Sequence, residues 1–456
     1  MKSYDLKPTT DNLISTYQQD VIGRNSDIFL FTEILNEIED GCAIALDGRW
    51  GSGKTFFVKQ VKMVMDAHNN FIAYKKDSNR DSIVSLRKKY YGRKNFDLQP
   101  QVCVYYDAWE NDNDDDPIMS LVYAILNSVD SDFDFASRNF IDIGASIMEL
   151  FSGMNWPTLI ENLKKTSPLD TLKGSKDVES LVGEFLESLI PEKGNRLVVF
   201  IDELDRCKPS YAVRLLERIK HYFTNEMITF VFSVNINELQ HTIKKYYGDS
   251  FNGSKYLDRF FDLRISLPPP NLDKYYQNLC FQNGRYTFDV VCDAVIKAYH
   301  FELREIAKYL RIVKIAAHKP THGGFDFAFP NGRAMQFCLN HIVPIMIGLK
   351  IHDMKQYTAF IEGKDCSPLI EILGNIKWIH FDILLNENET FDQNSVNKTY
   401  VTLTEKLNAV YEAVFVTSYT GTCYSTSIGD MEFDHRTKEV LIRTAGLLSQ
   451  FTNLMD

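Results

Sequence analysis

Two clusters of residues in this chain have the types and spacing for phosphate chemistry. The run Gly48-Arg49-Trp50-Gly51-Ser52-Gly53-Lys54-Thr55 fits the pattern G-x-x-x-x-G-K-[ST]. Glycines in such a run let successive backbone N–H groups converge on a phosphate, the lysine reaches the outer phosphates, and the threonine hydroxyl can ligate Mg2+. Gly48, Trp50, Gly51, Ser52, Gly53, Lys54, Thr55 and Phe56 are therefore candidate nucleotide contacts. The second cluster is Asp202-Glu203, which closes the apolar run Leu197–Ile201. A carboxylate at a strand tip is what a Mg2+ ion and its waters need, so Asp202 joins Thr55 as a candidate metal-side group. Glu203, one residue on, projects differently and is a candidate general base for an attacking water. Alone, one run reads as a glycine-rich turn and the other as a solvated acidic turn; together they describe a site that binds and hydrolyses a nucleoside triphosphate.

The flanking elements suit that task. Residues 41–47 form a short apolar run expected to be a buried strand, and residues 56–68 carry Phe57, Val58, Val61, Met63, Val64 and Met65 at helical density. Further strands are expected at 101–109 and 228–235, each followed by a helical pattern, which predicts a parallel α/β sheet with its site at the strands' C-terminal ends. Asn235 ends the last of these strands and has two readings: a polar group between the γ-phosphate and water, or the cap of the helix that follows. Hydrolysis needs a cation on the γ-phosphate. Arg206, Arg259, Arg264 and Arg304 are the candidates, each of which also reads as an ordinary surface arginine.

The chain has 456 residues and a net charge of −11, so a nucleic-acid surface would have to be local. The eight cysteines are scattered with no CxxC pair, which suits a reducing cytoplasm. The N-terminus has no apolar stretch of the signal-peptide kind. The most apolar segment, 334–349, is shorter than the ~20 residues of a spanning helix and holds Asn340, His341 and Pro344, so a buried helix and no integral membrane contact are expected. The segment 74–96 gathers Lys75, Lys76, Arg80, Arg87, Lys88, Lys89, Arg93 and Lys94 around Tyr90 and Tyr91. It reads as a solvated insertion or, through 75–94, as a contact for single-stranded nucleic acid. The acidic run 110–116 reads as a solvated loop. His318 and His322 lack a third ligand nearby and read as loop residues.

The motifs "GRWGSGKT", "YYDAWENDNDDDPIMSLV", "FIDELDRCKPSYAVRLLERIKHYF", "FVFSVNINEL" and "YLDRFFDLRISLPPP" occur in that order. Together they resemble the KAP family of P-loop NTPases over residues 20–315. The resemblance implies an additional-strand P-loop ATPase core at 1–270, with a basic insert at 70–100 and a helical insert at 130–190. A helical lid at 271–320 would follow. Beyond the resemblance, the mostly helical pattern from Ala334 onward predicts an all-α C-terminal domain at 321–456 that senses a signal or holds a partner. The resemblance implies ATP and Mg2+ as ligands, Lys54 and Thr55 as their contacts, and Asp202 and Glu203 as metal-side and base carboxylates. Val21, Ile22 and Gly23 resemble the segment beside the base in related ATPases, and Arg304 lies in a helix resembling the family's second sensor region. Family members are described as molecular switches, many in anti-phage defence, which implies a homo-oligomer or an effector encoded nearby as partner. This sequence departs from the family at Asp107, where Asn is common, and at Asn235, where Asp is common. It also lacks the family's membrane-spanning insertion.

Overall fold

The computed structural model describes residues 7–71, 77–89, 97–114, 117–130, 190, 194–222, 226–279, 281, 287–317, 329–376, 402–419 and 424–446. Lys75, Lys76, Tyr90, Tyr91, Arg93, Lys94, His318, His322 and nearly all of the expected insert at 130–190 lie outside the described residues. The chain divides into two units, Leu6–Lys274 and Tyr275–Asp456, four residues beyond the expected end of the core at 270.

The first unit is built on strands β1 (Cys42–Asp47), β2 (Gln101–Asp107), β3 (Arg196–Asp202), β4 (Ile228–Val234) and β5 (Leu263–Ser266). They form one sheet in the order β2-β3-β4-β1-β5, every pair parallel. Strand β4 is thus inserted between the phosphate-loop strand β1 and the acid-tipped strand β3. The register aligns the strand ends: Asp107 pairs with Asp202, Asp202 with Ser233, Ser233 with Leu46, and Asp47 with Ser266. Strands β3 and β4 are buried at every position, as near-continuous apolar runs must be when helices cover both faces of a parallel sheet. The edge strand β5 is only four residues long and largely exposed, with Arg264 paired to Asp258 at 2.5 Å.

The helices of this unit are α1 (Thr10–Gln19), α2 (Asn25–Glu37), α3 (Lys54–His68), α4 (Asp77–Lys88), α5 (Pro117–Asp130), α6 (Pro209–Tyr222), α7 (Ile236–Tyr247) and α8 (Gly253–Leu257). Helix α3 begins at the loop lysine and buries Phe57, Val58, Val61 and Val64. On the sheet, Val104, Val199, Ile201, Phe230 and Phe232 share a core with Leu215 and Leu216 of α6 and Leu239 of α7. One charge in the basic insert is internal. Arg87 of α4 is fully buried, pairs with Glu33 of α2 and lies over the Phe29 ring at 5.1 Å. That corrects its reading as a nucleic-acid contact; Lys88 and Lys89 beside it are exposed.

The second unit is mostly helical. Its helix Leu303–Ala317 buries Ile306, Tyr309, Leu310 and Val313. The apolar segment lies in the helical stretch Gly332–His352, which has the length and hydropathy to cross a membrane, yet 72% of its most apolar window is buried within the protein. A π-helical turn at Cys338–Ile342 precedes Pro344, whose missing N–H cannot join the regular ladder. At Gly348 a Cβ would meet Val295 Cγ1 at 2.3 Å, so glycine permits the close crossing with helix Thr287–Ala298. The expectation of an all-α C-terminal region is corrected by an antiparallel hairpin, Ser425–Ile428 with Met431–Asp434. Its two-residue Gly429-Asp430 turn places Gly429 at φ 56°, the kind of turn that matches the twist of paired strands.

Candidate nucleotide site

The loop between β1 and α3 has the backbone that its glycines allow. Gly51 and Gly53 have φ of 84° and 91°, in the left-handed region that side chains disfavour. Gly48 N–H bonds to Val234 O at 3.1 Å, which ties the loop to the end of β4. A Cβ at Gly48 would meet Ser52 Oγ at 2.9 Å and Lys54 Cγ at 3.2 Å. Lys54 is buried and its ammonium donates to Gly48 O at 2.7 Å and Arg49 O at 3.2 Å. Burial pushes its pKa down, while the charges of Asp205, Asp202 and Glu203 push it back up. Ser52 Oγ is buried with no hydrogen-bond partner among the described residues. A cradle that only glycine tolerates, a buried ammonium and an unsatisfied hydroxyl fit a polyphosphate. Thr55 stands half-buried in the first turn of α3. Phe56 follows with its side chain buried, so any contribution from it comes from the backbone.

Across β4, two strand spacings or about 10 Å from β1, lies the acidic tip of β3. That gap matches a terminal phosphate, a metal ion and a water. Asp202 is buried; its Oδ2 accepts from Tyr105 Oη at 2.9 Å and its Oδ1 from the Glu203 N–H at 3.1 Å. Tyr105 is in turn covered by Lys59 Nζ, 4.1 Å from the ring centroid. Glu203 adopts φ 61° and opens the 3-10 turn Leu204–Arg206. Burial and the neighbouring Asp202 push its pKa up to about 7, against the pull of Arg206. Such a carboxylate is matched to taking a proton near neutral pH.

The structure adds residues that the motifs did not single out. Asp205, buried on the 3-10 turn, accepts the indole N–H of Trp50 at 2.5 Å, joining the phosphate loop to the β3 tip. Burial raises the Asp205 pKa, and Lys54 and the Trp50 hydrogen bond oppose the rise. Arg24, also buried, donates to Ser52 O at 2.9 Å and Pro268 O at 2.5 Å. It thereby brings the Val21-Ile22-Gly23 segment beside the loop. Ile22 O accepts from Asn271 N–H at 2.9 Å, and Gly23 sits at φ 73°, where a Cβ would meet Asn271 Cβ at 2.4 Å. Asp107 Oδ1 accepts the N–H groups of Trp109 and Glu110, both at 3.1 Å, and so shapes the turn after β2. Arg24 follows a glycine already under suspicion, and Asp205 lies within a motif already noted, but nothing local in the sequence pairs Asp205 with Trp50.

Some candidates stand elsewhere. Asn235 is the N-cap of α7, its side chain accepting from Glu238 N at 3.5 Å, so of its two readings the cap is the one with a visible partner. Arg259 is exposed and follows α8, where Asp262 N–H bonds to Ala43 O at 2.8 Å and Lys220 Nζ to Arg259 O at 2.6 Å. It is therefore level with the start of β1, about 16 Å of strand away from the loop. A γ-phosphate role for Arg259 within its own chain is thus corrected: parallel pairing places the residues before β5 at the opposite end of the strands from the loop. Arg264 is held by Asp258. Arg304 is an exposed residue in the first turn of its helix in the second unit. Arg206 is engaged by Glu203 at 2.5 Å.

A parallel sheet with a strand inserted between a glycine-cradled lysine and an acidic strand tip defines a nucleotide-binding P-loop NTPase. The KAP family P-loop domain matches residues 25–287, more than half of the length, and the chain belongs to that family. An uncharacterised protein of Methanocaldococcus jannaschii is 31% identical over 83 residues, which span 18% of this chain and 43% of that protein. The ORC2 protein of Aeropyrum pernix, solved as ADPNP and ADP complexes, aligns over 94% of this chain and 93% of its own. Its TM-score of 0.32 and 10% identity make that likeness too distant to bear on function.

Proposed function

We propose that this chain is a Mg2+-dependent ATPase that works as a slow molecular switch on a partner protein. The observation that carries the reading is the Lys54 cradle facing the Asp202-Glu203 tip across the inserted strand β4. The N–H groups of Gly51 to Thr55 and the Lys54 ammonium would bind the β- and γ-phosphates. Thr55 and Asp202 would hold the metal ion, which supplies charge neutralisation between the phosphates when bound. Glu203 would orient and deprotonate the attacking water, in line with the bond to the leaving phosphate. Val21, Ile22 and Gly23, fixed by Arg24, would flank the base.

The test is Glu203→Gln, assayed for MgATP hydrolysis and for ATP binding. Hydrolysis should fall by about 10²–10³-fold with binding retained. An unchanged rate would sink the base assignment, and no turnover in either protein would favour a nucleotide-gated scaffold instead. The partner is proposed to be a further copy of this chain or an effector encoded nearby, in anti-phage defence. That part rests on the family resemblance, and co-purification with and without ATP tests it.

A further inference from the structure

The turn after β3 holds an ion pair that the ATPase mechanism above does not use. Glu203 Oε2 and Arg206 Nε are 2.5 Å apart, and the two side chains are only 17% and 22% exposed. The pair is short in sequence but is braced from outside its own turn. The Arg206 guanidinium carbon lies 5.7 Å from the Trp50 ring and 5.8 Å from the Trp109 ring. Trp50 belongs to the phosphate loop and Trp109 to the turn after β2, so three separate segments fix one guanidinium. Trp50 is itself held by its indole bond to Asp205, and the turn carrying Trp109 by Asp107. Downstream, Lys208 donates its backbone N–H to Asp112 at 3.1 Å and its ammonium to Asn113 at 2.5 Å, pinning the end of the same turn.

We infer that Arg206 is a positioning residue for the hydrolytic carboxylate: it grips one oxygen of Glu203 and leaves the other to address the water. This rests on the assignment of Glu203 as base. A glutamate side chain has three rotatable bonds, and a base contributes only when held within a fraction of an ångström of the productive geometry. The backbone of Glu203 is already confined to the left-handed region at φ 61°, and the guanidinium fixes what remains. Arginine suits the task through its rigid planar fork, which lysine lacks, and through its attraction to aromatic ring faces. Its engagement by Glu203 and two indoles also separates this role from direct contact with the γ-phosphate.

The experiment compares wild type with Arg206→Ala, Trp109→Leu, Glu203→Gln and the Glu203→Gln/Arg206→Ala double variant. Single-turnover hydrolysis of labelled MgATP and the Kd for ADP are measured for each. Arg206→Ala should slow hydrolysis on the order of tenfold to a hundredfold and leave the ADP Kd within about twofold. Trp109→Leu, which loosens the arginine without removing it, should slow hydrolysis a few-fold. In the Glu203→Gln background, Arg206→Ala should add little, because there is no base left to position. An unchanged or faster Arg206→Ala enzyme would overturn the inference. So would a loss expressed as weaker ADP binding, or one that persists in full beside Glu203→Gln. If Glu203→Gln itself hydrolyses at the wild-type rate, the base assignment fails and takes this inference with it. A normal Arg206→Ala beside a crippled Glu203→Gln refutes the positioning role alone.

Discussion

Trp50→Phe isolates one hydrogen bond whose loss should be measurable. The substitution keeps an aromatic ring facing Arg206 but removes the indole N–H that donates to Asp205 Oδ2 at 2.5 Å. Asp205 is 5% exposed, which limits how well water can replace the lost donor. A hydrogen bond to a charged acceptor contributes about 1.5–3 kcal/mol, and leaving a buried acceptor short of a donor costs a similar amount. A cost of about 2 kcal/mol follows. For a unit of the size of Leu6–Lys274 that corresponds to a Tm lower by about 4–8 °C. Circular dichroism melts of wild type, Trp50→Phe, Asp205→Asn and the double variant measure it. In the Asp205→Asn background the acceptor is neutral, so Trp50→Phe should cost about 1 kcal/mol or less. A Trp50→Phe melt within about 1 °C of wild type, or an undiminished loss beside Asp205→Asn, would refute the latch between the phosphate loop and the β3 tip.

Lys54→Ala should weaken ATP binding by about 10²-fold or more, read by equilibrium binding of a fluorescent nucleotide, because the buried ammonium of the phosphate loop is lost. Gly23→Ala forces a Cβ to within 2.4 Å of Asn271 Cβ at φ 73°, so thermal melts should show a loss of more than about 1 kcal/mol, with weaker nucleotide binding beside it. Arg87→Ala removes a fully buried guanidinium and strands Glu33, and should cost about 3 kcal/mol in denaturant melts, whereas Lys88→Ala and Lys89→Ala should stay within about 0.5 kcal/mol.

The P-loop half of this protein was legible in its sequence because its signals are contiguous. The loop glycines, Lys54 and Thr55 lie within eight residues, and the apolar runs of β1, β3 and β4 read as buried parallel strands because both faces are covered. Where local pattern and tertiary placement differ, the deciding partner is distant in sequence. Arg87 counted as one charge in a basic cluster until its ion pair with Glu33, 54 residues away, placed it in the interior. Arg259 precedes β5 in sequence, but parallel pairing with β1 puts the start of β5 at the end of the strands away from the loop. The C-terminal hairpin escaped notice because two four-residue strands carry too little periodicity to stand out from helical surroundings.

By itself, then, the sequence determined which groups are available for phosphate chemistry and which local elements carry them, since helix and strand periods and glycine-rich turns are written within a few residues. Only the tertiary structure decided which groups meet. It placed Trp50 on Asp205 across 155 residues, Arg24 on Pro268 across 244, and the guanidinium of Arg206 at 5.7 and 5.8 Å from the rings of two tryptophans from different strand ends. Those meetings depend on strand order and register, above all on β4 lying between β1 and β3, and pairing between distant strands leaves no mark in the spacing of neighbouring residues.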